Sequence, residues 1–240
     1  MVRDGDSEET TSSTASNSFL DDLGGNAVLL AVLLLLLVVV PFLPGHRTES
    51  VINRIAWSAL IIVGILRTSG RRHFLWAALI IAIPSLLSRW IDGIGLTVAG
   101  PVIVACFFLL IVAHILTDIF SQSRVRVDHI LGGINVYLLL GVLFTRLHVA
   151  VEKYNGGSYM LGDVPLAAAA ERMGQHLENL LQYFSFTTLT TLGYGDIHPV
   201  SHAARVLSTT EAVVGPLFLV ILIARLVSVY TSRQASVSNN

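Results

Sequence analysis

Long apolar runs alternate with short polar segments along this chain of 240 residues, and the pattern predicts membrane-spanning helices. A helix needs about 20 apolar residues to cross the hydrocarbon core of a bilayer. The stretch from Gly24 to Gly45 carries no charge and contains Pro41 and Pro44, which favour a helix end. Five further apolar runs cover residues 51–66, 73–88, 93–116, 130–151 and 206–230. The pattern therefore predicts an all-α membrane protein with six transmembrane helices.

The second and third runs are short for a span, and Arg54 interrupts the second. An arginine near a helix end is tolerated because its long side chain reaches the membrane interface. A tight hairpin at this place is the alternative to two separate spans.

The polar segments predict the orientation of the spans. Residues 1–24 are rich in acids, Ser and Thr and cannot bury enough apolar surface to fold, so they predict a disordered acidic tail. Basic residues concentrate in two alternate loops, at positions 67, 71 and 72 and at positions 124 and 126. The positive-inside rule places these loops and both termini in the cytoplasm. The predicted units are the tail over 1–24, a four-helix membrane domain over 25–128, the last two spans over 129–232 and a short tail over 233–240.

Composition agrees with a membrane protein and excludes several functions. Hydrophobic residues make up 53% of the chain and charged residues 13%, with a mean hydropathy of +0.71. Soluble domains carry charge on about a quarter of their residues. A net charge of −1 provides no basic surface for nucleic acid. Cys106 is the one cysteine, which excludes an intramolecular disulfide and a cysteine-based metal cage.

The segment between the fifth and sixth runs combines polar, aromatic and glycine residues. Its first part, 153–176, predicts an outer loop with a short helix around 167–170. Residues 178–190 are too few to span a membrane and predict a re-entrant helix. An irregular backbone follows at 191–196, and such a backbone is tolerated at membrane depth only where protein buries it or where it lines water. The exposed carbonyls of this stretch are therefore the candidate functional groups.

The stretch from Thr188 to Asp196 reads TLTTLGYGD and resembles the TxxTxGYGD signature of the potassium channel family. Two glycines separated by one residue permit backbone angles that other residues avoid, so that successive carbonyls can point the same way. The resemblance implies that four chains form one pore, in which rings of carbonyls replace the water around potassium ions. It implies that the ligands are the carbonyls of Thr191, Leu192, Gly193 and Tyr194, together with the Thr191 hydroxyl.

The resemblance also assigns supporting roles around this filter. Tyr183 and Phe184 occupy the positions of an aromatic pair that surrounds the filter, although the family often has Trp there. Thr187 stands where some members carry a bracing carboxylate. The resemblance further implies that Thr188 and Gly195 complete the filter motif and that Asp196 forms a hydrogen bond behind the filter or adds negative potential at its outer mouth.

The last span is implied to be the pore-lining inner helix. Gly215 matches the spacing of a hinge glycine in related channels, and Pro216 should kink the helix because it lacks a backbone donor. Leu219, Ile223 and Val227 recur every four residues and predict one stripe, which either lines the cavity or faces lipid.

Glu211 lies in the same helix, where an ionisable residue indicates a function by default. It either titrates and couples the filter to the hinge, or it is a structural acid bound to a hydroxyl of the re-entrant helix such as Ser185 or Thr187.

The first four spans match those of six-span channels in number. A voltage sensor needs basic residues along its fourth span, because charge moving through the membrane field supplies the gating energy. The run 93–116 contains no Arg or Lys, so we expect weak or no voltage gating. The short C-terminal tail leads us to expect no cytosolic ligand domain. The composition resembles that of a prokaryotic plasma-membrane protein.

These observations predict a passive, homotetrameric potassium channel that is not an enzyme and needs no cofactor. A nonselective cation channel on the same scaffold is one alternative, since selectivity depends on filter geometry. A second is an intramembrane aspartyl protease, because residues 193–196 also fit a GxGD motif. Such a protease needs a second aspartate to share a proton, and Asp118 is the candidate.

Overall fold

The computed structural model describes residues 25–39, 55, 57–66, 76–84, 98–121 and 127–238. The predicted tail over 1–24, the last two residues and several connecting segments lie outside the described residues, as do parts of the first four predicted spans.

The first part of the described chain is helical throughout. Helix α1 (Gly25–Leu34) continues into a π-helical turn (Leu35–Val39). Helix α2 (Trp57–Leu66) and helix α3 (76–84) are short. Helix α4 (Ala99–Ser121) extends five residues beyond the predicted end at Leu116. The Thr117 hydroxyl donates to the His114 carbonyl at 2.7 Å, and the Ser121 hydroxyl donates to the Thr117 carbonyl, so polar residues continue the helix without leaving its carbonyls unpaired.

Helix α5 (Val127–Tyr154) is the central element, because it contacts α1, α4, the helix Leu177–Leu189 and the last helix. Glycines allow two of these approaches. A Cβ atom at Gly133 would lie 2.6 Å from the Leu222 side chain, and one at Gly141 would lie 2.6 Å from the Phe186 ring. Both distances are shorter than a normal carbon contact, so a larger residue at either position would require the Leu222 or Phe186 side chain to move.

The segment after α5 folds into a small sheet and two helices. Strands β1 (Tyr159–Leu161), β2 (Val164–Pro165) and β3 (Ile197–Pro199) form an antiparallel sheet in the order β2-β1-β3. Helix α6 (Leu166–Met173) is the short helix predicted in this loop, and helix α7 (Leu177–Leu189) lies where a helix was predicted over 178–190. The sheet was not predicted. It joins the segment before α7 to the segment that follows the filter motif.

Helix α8 (His202–Ser238) completes the chain and contains Pro216. It contacts α5 and α7 along one side, whereas much of the remaining surface is apolar and exposed. Among the described residues, three helices are long and apolar enough to cross a membrane: Ala99–Ser121, Val127–Tyr154 and His202–Ser228. The chain is thus a mostly helical membrane protein.

A buried polar contact fixes α1 against the start of α5. The Asn26 amide donates to the Asp128 carboxylate at 2.8 Å and to the Asp128 carbonyl at 3.0 Å. The Asn135 amide donates to the Asn26 carbonyl at 2.7 Å. These bonds define the register of two helices whose other contacts are mostly apolar.

We expect Asn26→Leu to weaken the docking of α1, because a leucine removes both donors to Asp128. Hydrogen bonds to charged groups contribute about 1.5–3 kcal/mol each, and the loss should appear as a lower free energy of unfolding in detergent titrations. Val28→Ala, at an exposed position of the same helix, is the control and should change little. Equal stability of both variants would contradict a role for Asn26 in docking.

Candidate functional site

The backbone after α7 has left-handed angles at every second residue. The φ angles are +59° at Thr191, +55° at Gly193 and +78° at Gly195. Glycine adopts such angles freely, and this regular spacing allows successive carbonyls to point to one side of the strand. The irregular backbone that the sequence predicts at 191–196 is therefore present.

Thr191 is the unusual member of this series, because it is β-branched and still has a positive φ. The left-handed conformation costs an ordinary residue about 1–2 kcal/mol. Two backbone hydrogen bonds hold the strained turn: the Thr191 N–H donates to the Thr188 carbonyl at 3.0 Å, and the Gly193 N–H donates to the Thr187 carbonyl at 3.0 Å. Strain of this kind concentrates at functional sites, where neighbouring structure maintains it.

The C-terminal end of the strand forms contacts with two neighbouring elements. The Tyr183 hydroxyl donates to Asp196 Oδ2 at 3.0 Å, and the Tyr183 ring stacks on Tyr194 with centroids 6.3 Å apart. The Gly162 N–H donates to the Asp196 carbonyl at 3.2 Å, and β3 then pairs with β1. The helix before the strand and the sheet after it thus both fix the C-terminal end of the strand.

The strand 191–196 is exposed in the single chain. Leu192 and Tyr194 are 56% and 68% exposed, and the other residues from 190 to 196 are exposed as well. An exposed irregular backbone cannot face the lipid hydrocarbon, since each unsatisfied polar group there costs several kcal/mol.

A buried polar cluster lies on the other side of α7. The side chains of His148 and Glu211 are both fully buried. His148 Nε2 lies 2.8 Å from Glu211 Oε2, and His148 Nδ1 lies 2.6 Å from the Tyr159 hydroxyl oxygen. Ser185 Oγ lies 2.5 Å from Glu211 Oε1. Glu211 therefore contacts Ser185, one of the two predicted hydroxyls, whereas the Thr187 hydroxyl donates to the Phe184 carbonyl of its own helix.

The aromatic pair of α7 divides between these two regions. Tyr183 contacts the strand 191–196, as described above, whereas Phe184 is buried against His148 and Tyr159, with ring centroids 5.1 Å and 5.3 Å away. Burial raises the pKa of the Tyr159 phenol, with the Glu152 carboxylate adding to the shift, so this hydroxyl keeps its proton at physiological pH.

A buried arginine in α5 forms an ion pair with a glutamate in α7. Arg146 Nη1 lies 2.6 Å from Glu178 Oε2, and its guanidinium lies 4.1 Å from the centroid of the Trp57 ring. The arginine is 3% exposed and thus faces protein, as an arginine in an apolar span must unless it reaches water.

Helix α8 approaches the end of α7 at Gly215. A Cβ atom there would lie 2.2 Å from the Leu189 carbonyl oxygen, so the glycine is required for this contact. Pro216 follows directly. The predicted stripe of Leu219, Ile223 and Val227 is exposed in the single chain, and this exposure fits both a cavity lining and a lipid contact.

Comparison with known proteins agrees with this geometry. Residues 180–232 match the family model described as an ion channel. The matched segment contains most of α7, the whole filter strand and α8 as far as residue 232. The curated proteins and the solved structures gave no match to the chain. The family match and the apolar helices support a passive ion channel in a multi-pass membrane protein.

Sequence reasoning missed two features of this site. His148 lies in the fifth apolar run, and two ionisable residues in neighbouring spans can be expected to pair, so the presence of Glu211 was the available signal. The two-residue Gly162-Asp163 turn between short apolar segments was the signal for the β1–β2 hairpin.

We expect Gly215→Ala to destabilise the protein and reduce ion flux, because the methyl group must push α8 away from the Leu189 carbonyl. Overpacking costs about 1–3 kcal/mol, whereas helix propensity alone would predict a gain of about 1 kcal/mol. The sign of the change in unfolding free energy therefore distinguishes the two effects. Gly156→Ala is the matched control, since nothing lies within 4 Å of a Cβ atom at that residue.

Proposed function

We propose that this protein is a passive, potassium-selective channel whose filter is the strand 191–196 in a homotetramer. The observation that carries the proposal is the alternation of left-handed residues directly after a short helix, within the segment that matches the ion channel family. The proposed ligands are the carbonyls of Thr191, Leu192, Gly193 and Tyr194 and the Thr191 hydroxyl. Permeation through them moves ions down their gradient and needs no covalent chemistry.

The tetramer explains the exposed surfaces of the single chain. One chain supplies one strand, and closed rotational symmetry surrounds a central axis with identical strands. In such an assembly the exposed backbone at 190–196 lines a water-filled pore or contacts a neighbouring chain, as its polar groups require. The apolar exposed surface of α8 then lies at subunit contacts and along the cavity.

The supporting roles follow from the contacts. Tyr183 holds Asp196 at the outer mouth, and the carbonyl of Thr187 holds the Gly193 amide. In this proposal α8 is the inner helix, and Gly215 and Pro216 lie where it passes the end of α7. We further propose six spans with both termini in the cytoplasm, location in the plasma membrane, and weak or absent voltage gating.

The protease alternative conflicts with the positions of its two aspartates. Asp118 is in the last turn of α4, which connects to the start of α5. Asp196 lies beside the sheet that follows the end of α5, and α5 is roughly 40 Å long at 1.5 Å per residue. Asp118 and Asp196 therefore lie near opposite ends of α5, too far apart for their carboxylates to share a proton.

Reconstituted protein should pass potassium and be blocked by barium. In liposomes with a potassium gradient, we expect the sodium flux to be at least about tenfold smaller than the potassium flux. A tenfold ratio corresponds to a difference of about 1.4 kcal/mol in the barrier to permeation. Equal potassium and sodium fluxes would support the nonselective alternative instead.

Gly193→Ala should abolish potassium flux, because a methyl group disfavours the left-handed backbone by about 1–2 kcal/mol in each of four chains. Gly156→Ala, outside the filter, is the control and should conduct normally. Native mass measurement of both variants should give four chains, and a smaller assembly in the wild type would contradict the proposed pore.

A further inference from the structure

Side chains from three helices are in contact beside the second half of α5. The guanidinium of Arg146 contacts both the ring of Trp57 in α2 and the carboxylate of Glu178 in α7. Its central carbon is 4.1 Å from the ring centroid, and Nη1 is 2.6 Å from Glu178 Oε2. Trp57 and Arg146 are each 3% exposed. These three residues connect a helix from the first part of the chain to the helix that precedes the filter.

The position of the Trp57 ring depends on α4 as well as on α2. The rings of Trp57 and Phe108 have centroids 6.1 Å apart and planes tilted by 60°, an arrangement typical of favourable aromatic pairs. Phe108, in α4, is fully buried. The guanidinium of Arg146 lies over the Trp57 ring, so its location depends on how α2 and α4 pack together.

Arginine suits this position better than lysine does. A guanidinium is flat, so one face can stack on an aromatic ring while the N–H groups at its edge donate to a carboxylate. The ammonium of a lysine is a compact charge on a flexible stem and cannot form both contacts in this way. The attraction between a cation and a tryptophan ring is also strongest where water is excluded, as it is at Arg146.

The two charges of the ion pair differ in their access to water. The Arg146 side chain is 4% exposed, whereas the Glu178 side chain is 32% exposed and has Lys153 Nζ at 3.9 Å from its other oxygen. Without Arg146, the glutamate would still have solvent and a second cation nearby. Without Glu178, the arginine would be a buried charge that has lost its counter-ion, which is strongly destabilising. Removal of the glutamate should therefore cost more stability than removal of the arginine.

The ion pair lies at the N-terminal end of α7. Glu178 is in the first turn of this 13-residue helix, whereas Ser185 and Leu189, which contact α8, lie in its second half. At 1.5 Å per residue, these contacts are about 10 and 16 Å from Glu178 along the helix axis. A helix with contacts at both ends keeps its direction, whereas a helix held at one end can tilt.

The direction of α7 determines where the filter strand begins. The N–H groups of Thr191 and Gly193 donate to the carbonyls of Thr188 and Thr187 in the last turn of α7. A tilt of the helix would move these two carbonyls and, with them, the strand. A contact at the first turn of α7 can therefore act on the filter without touching an ion.

We propose that Arg146 is a positioning residue for the filter and that, through Trp57, the packing of α2 and α4 influences ion selectivity; this inference rests on the proposed channel function. Helices α2 and α4 then have a role that needs no charged voltage sensor. They hold the guanidinium in the place from which it fixes the first turn of α7.

The positioning role is tested by flux in liposomes, with a native mass measurement of every variant. Arg146→Met removes the charge and the flat group. It should lower the ratio of potassium to sodium flux about tenfold, equivalent to about 1.4 kcal/mol in the difference between the two barriers. Lys153→Met removes the more exposed cation near Glu178 and is the matched control, which should keep the wild-type ratio.

The dependence on Trp57 is tested in the same assay. Trp57→Leu keeps the ion pair but removes the aromatic face, so it should also lower the flux ratio. Trp57→Phe retains a face for the cation and should keep most of the wild-type ratio. Trp76→Leu, at a 62% exposed tryptophan of α3, is the matched control. The double variant Trp57→Leu/Arg146→Met should have the ratio of Arg146→Met alone, because the tryptophan acts through the arginine.

Thermal unfolding of the full protein in detergent tests the ion pair without any flux. Glu178→Gln should lower the midpoint temperature more than Arg146→Met does, because it leaves a buried charge without its counter-ion. The double variant Arg146→Met/Glu178→Gln should be more stable than Glu178→Gln alone. The opposite order of the two single variants would overturn the assignment of Arg146 as the buried charge that depends on Glu178.

The outcomes separate this inference from the proposed function. A selective tetramer whose flux ratio is unchanged in Arg146→Met would overturn the positioning role and leave the channel function intact. Additive effects of Trp57→Leu and Arg146→Met would overturn the link to α2. A wild-type protein that passes no potassium would contradict the channel function and the filter role together, while the midpoint temperatures would still decide whether Arg146 depends on Glu178.

Discussion

A backbone carbonyl at membrane depth has no water to bind unless the protein provides a water-filled path, and the rest of this structure depends on that constraint. Helices α4, α5 and α8 satisfy it internally through their own hydrogen bonds. The strand at 191–196 does not, because its left-handed residues direct the backbone away from any helical pattern. Everything around the strand either holds it in that conformation or, in the proposed tetramer, supplies the water and neighbouring chains that it needs.

Two separate sets of contacts hold the strand. On the side of α7 that faces the strand, Tyr183 and the β1–β3 pairing secure Asp196. On the opposite side of α7, the contacts are fully buried and involve Glu211 and Ser185. Buried hydrogen bonds are strong because no solvent competes with them, and leaving one partner unpaired is costly for the same reason. The short helix between these two sets is thus fixed on both faces.

The apolar periodicity of the sequence predicted the long helices and the irregular stretch that follows α7. The re-entrant helix predicted over 178–190 and the helix Leu177–Leu189 differ by one residue at each end. The glycines at 193 and 195 follow this short segment closely, which leaves few alternative positions for the end of the helix. Contacts between distant residues could not be predicted in the same way. His148 and Glu211 are 63 positions apart, and the pattern of each helix alone does not say which faces meet. The sheet was missed because its strands have two or three residues, too few for an alternating pattern to be recognised.

The contact of Gly215 with α7 divides the last helix into two mechanically different parts. From His202 to Gly215 the helix is attached to α7 through Glu211 and the Leu189 carbonyl. Pro216 has no backbone donor for the Ala212 carbonyl, which weakens the turn 212–216. Beyond this turn the side chains at 217, 219–221 and 223 are exposed. Gly215 therefore fixes the position of the helix against α7, whereas Pro216 allows the direction of the remaining residues to differ from that of the first part.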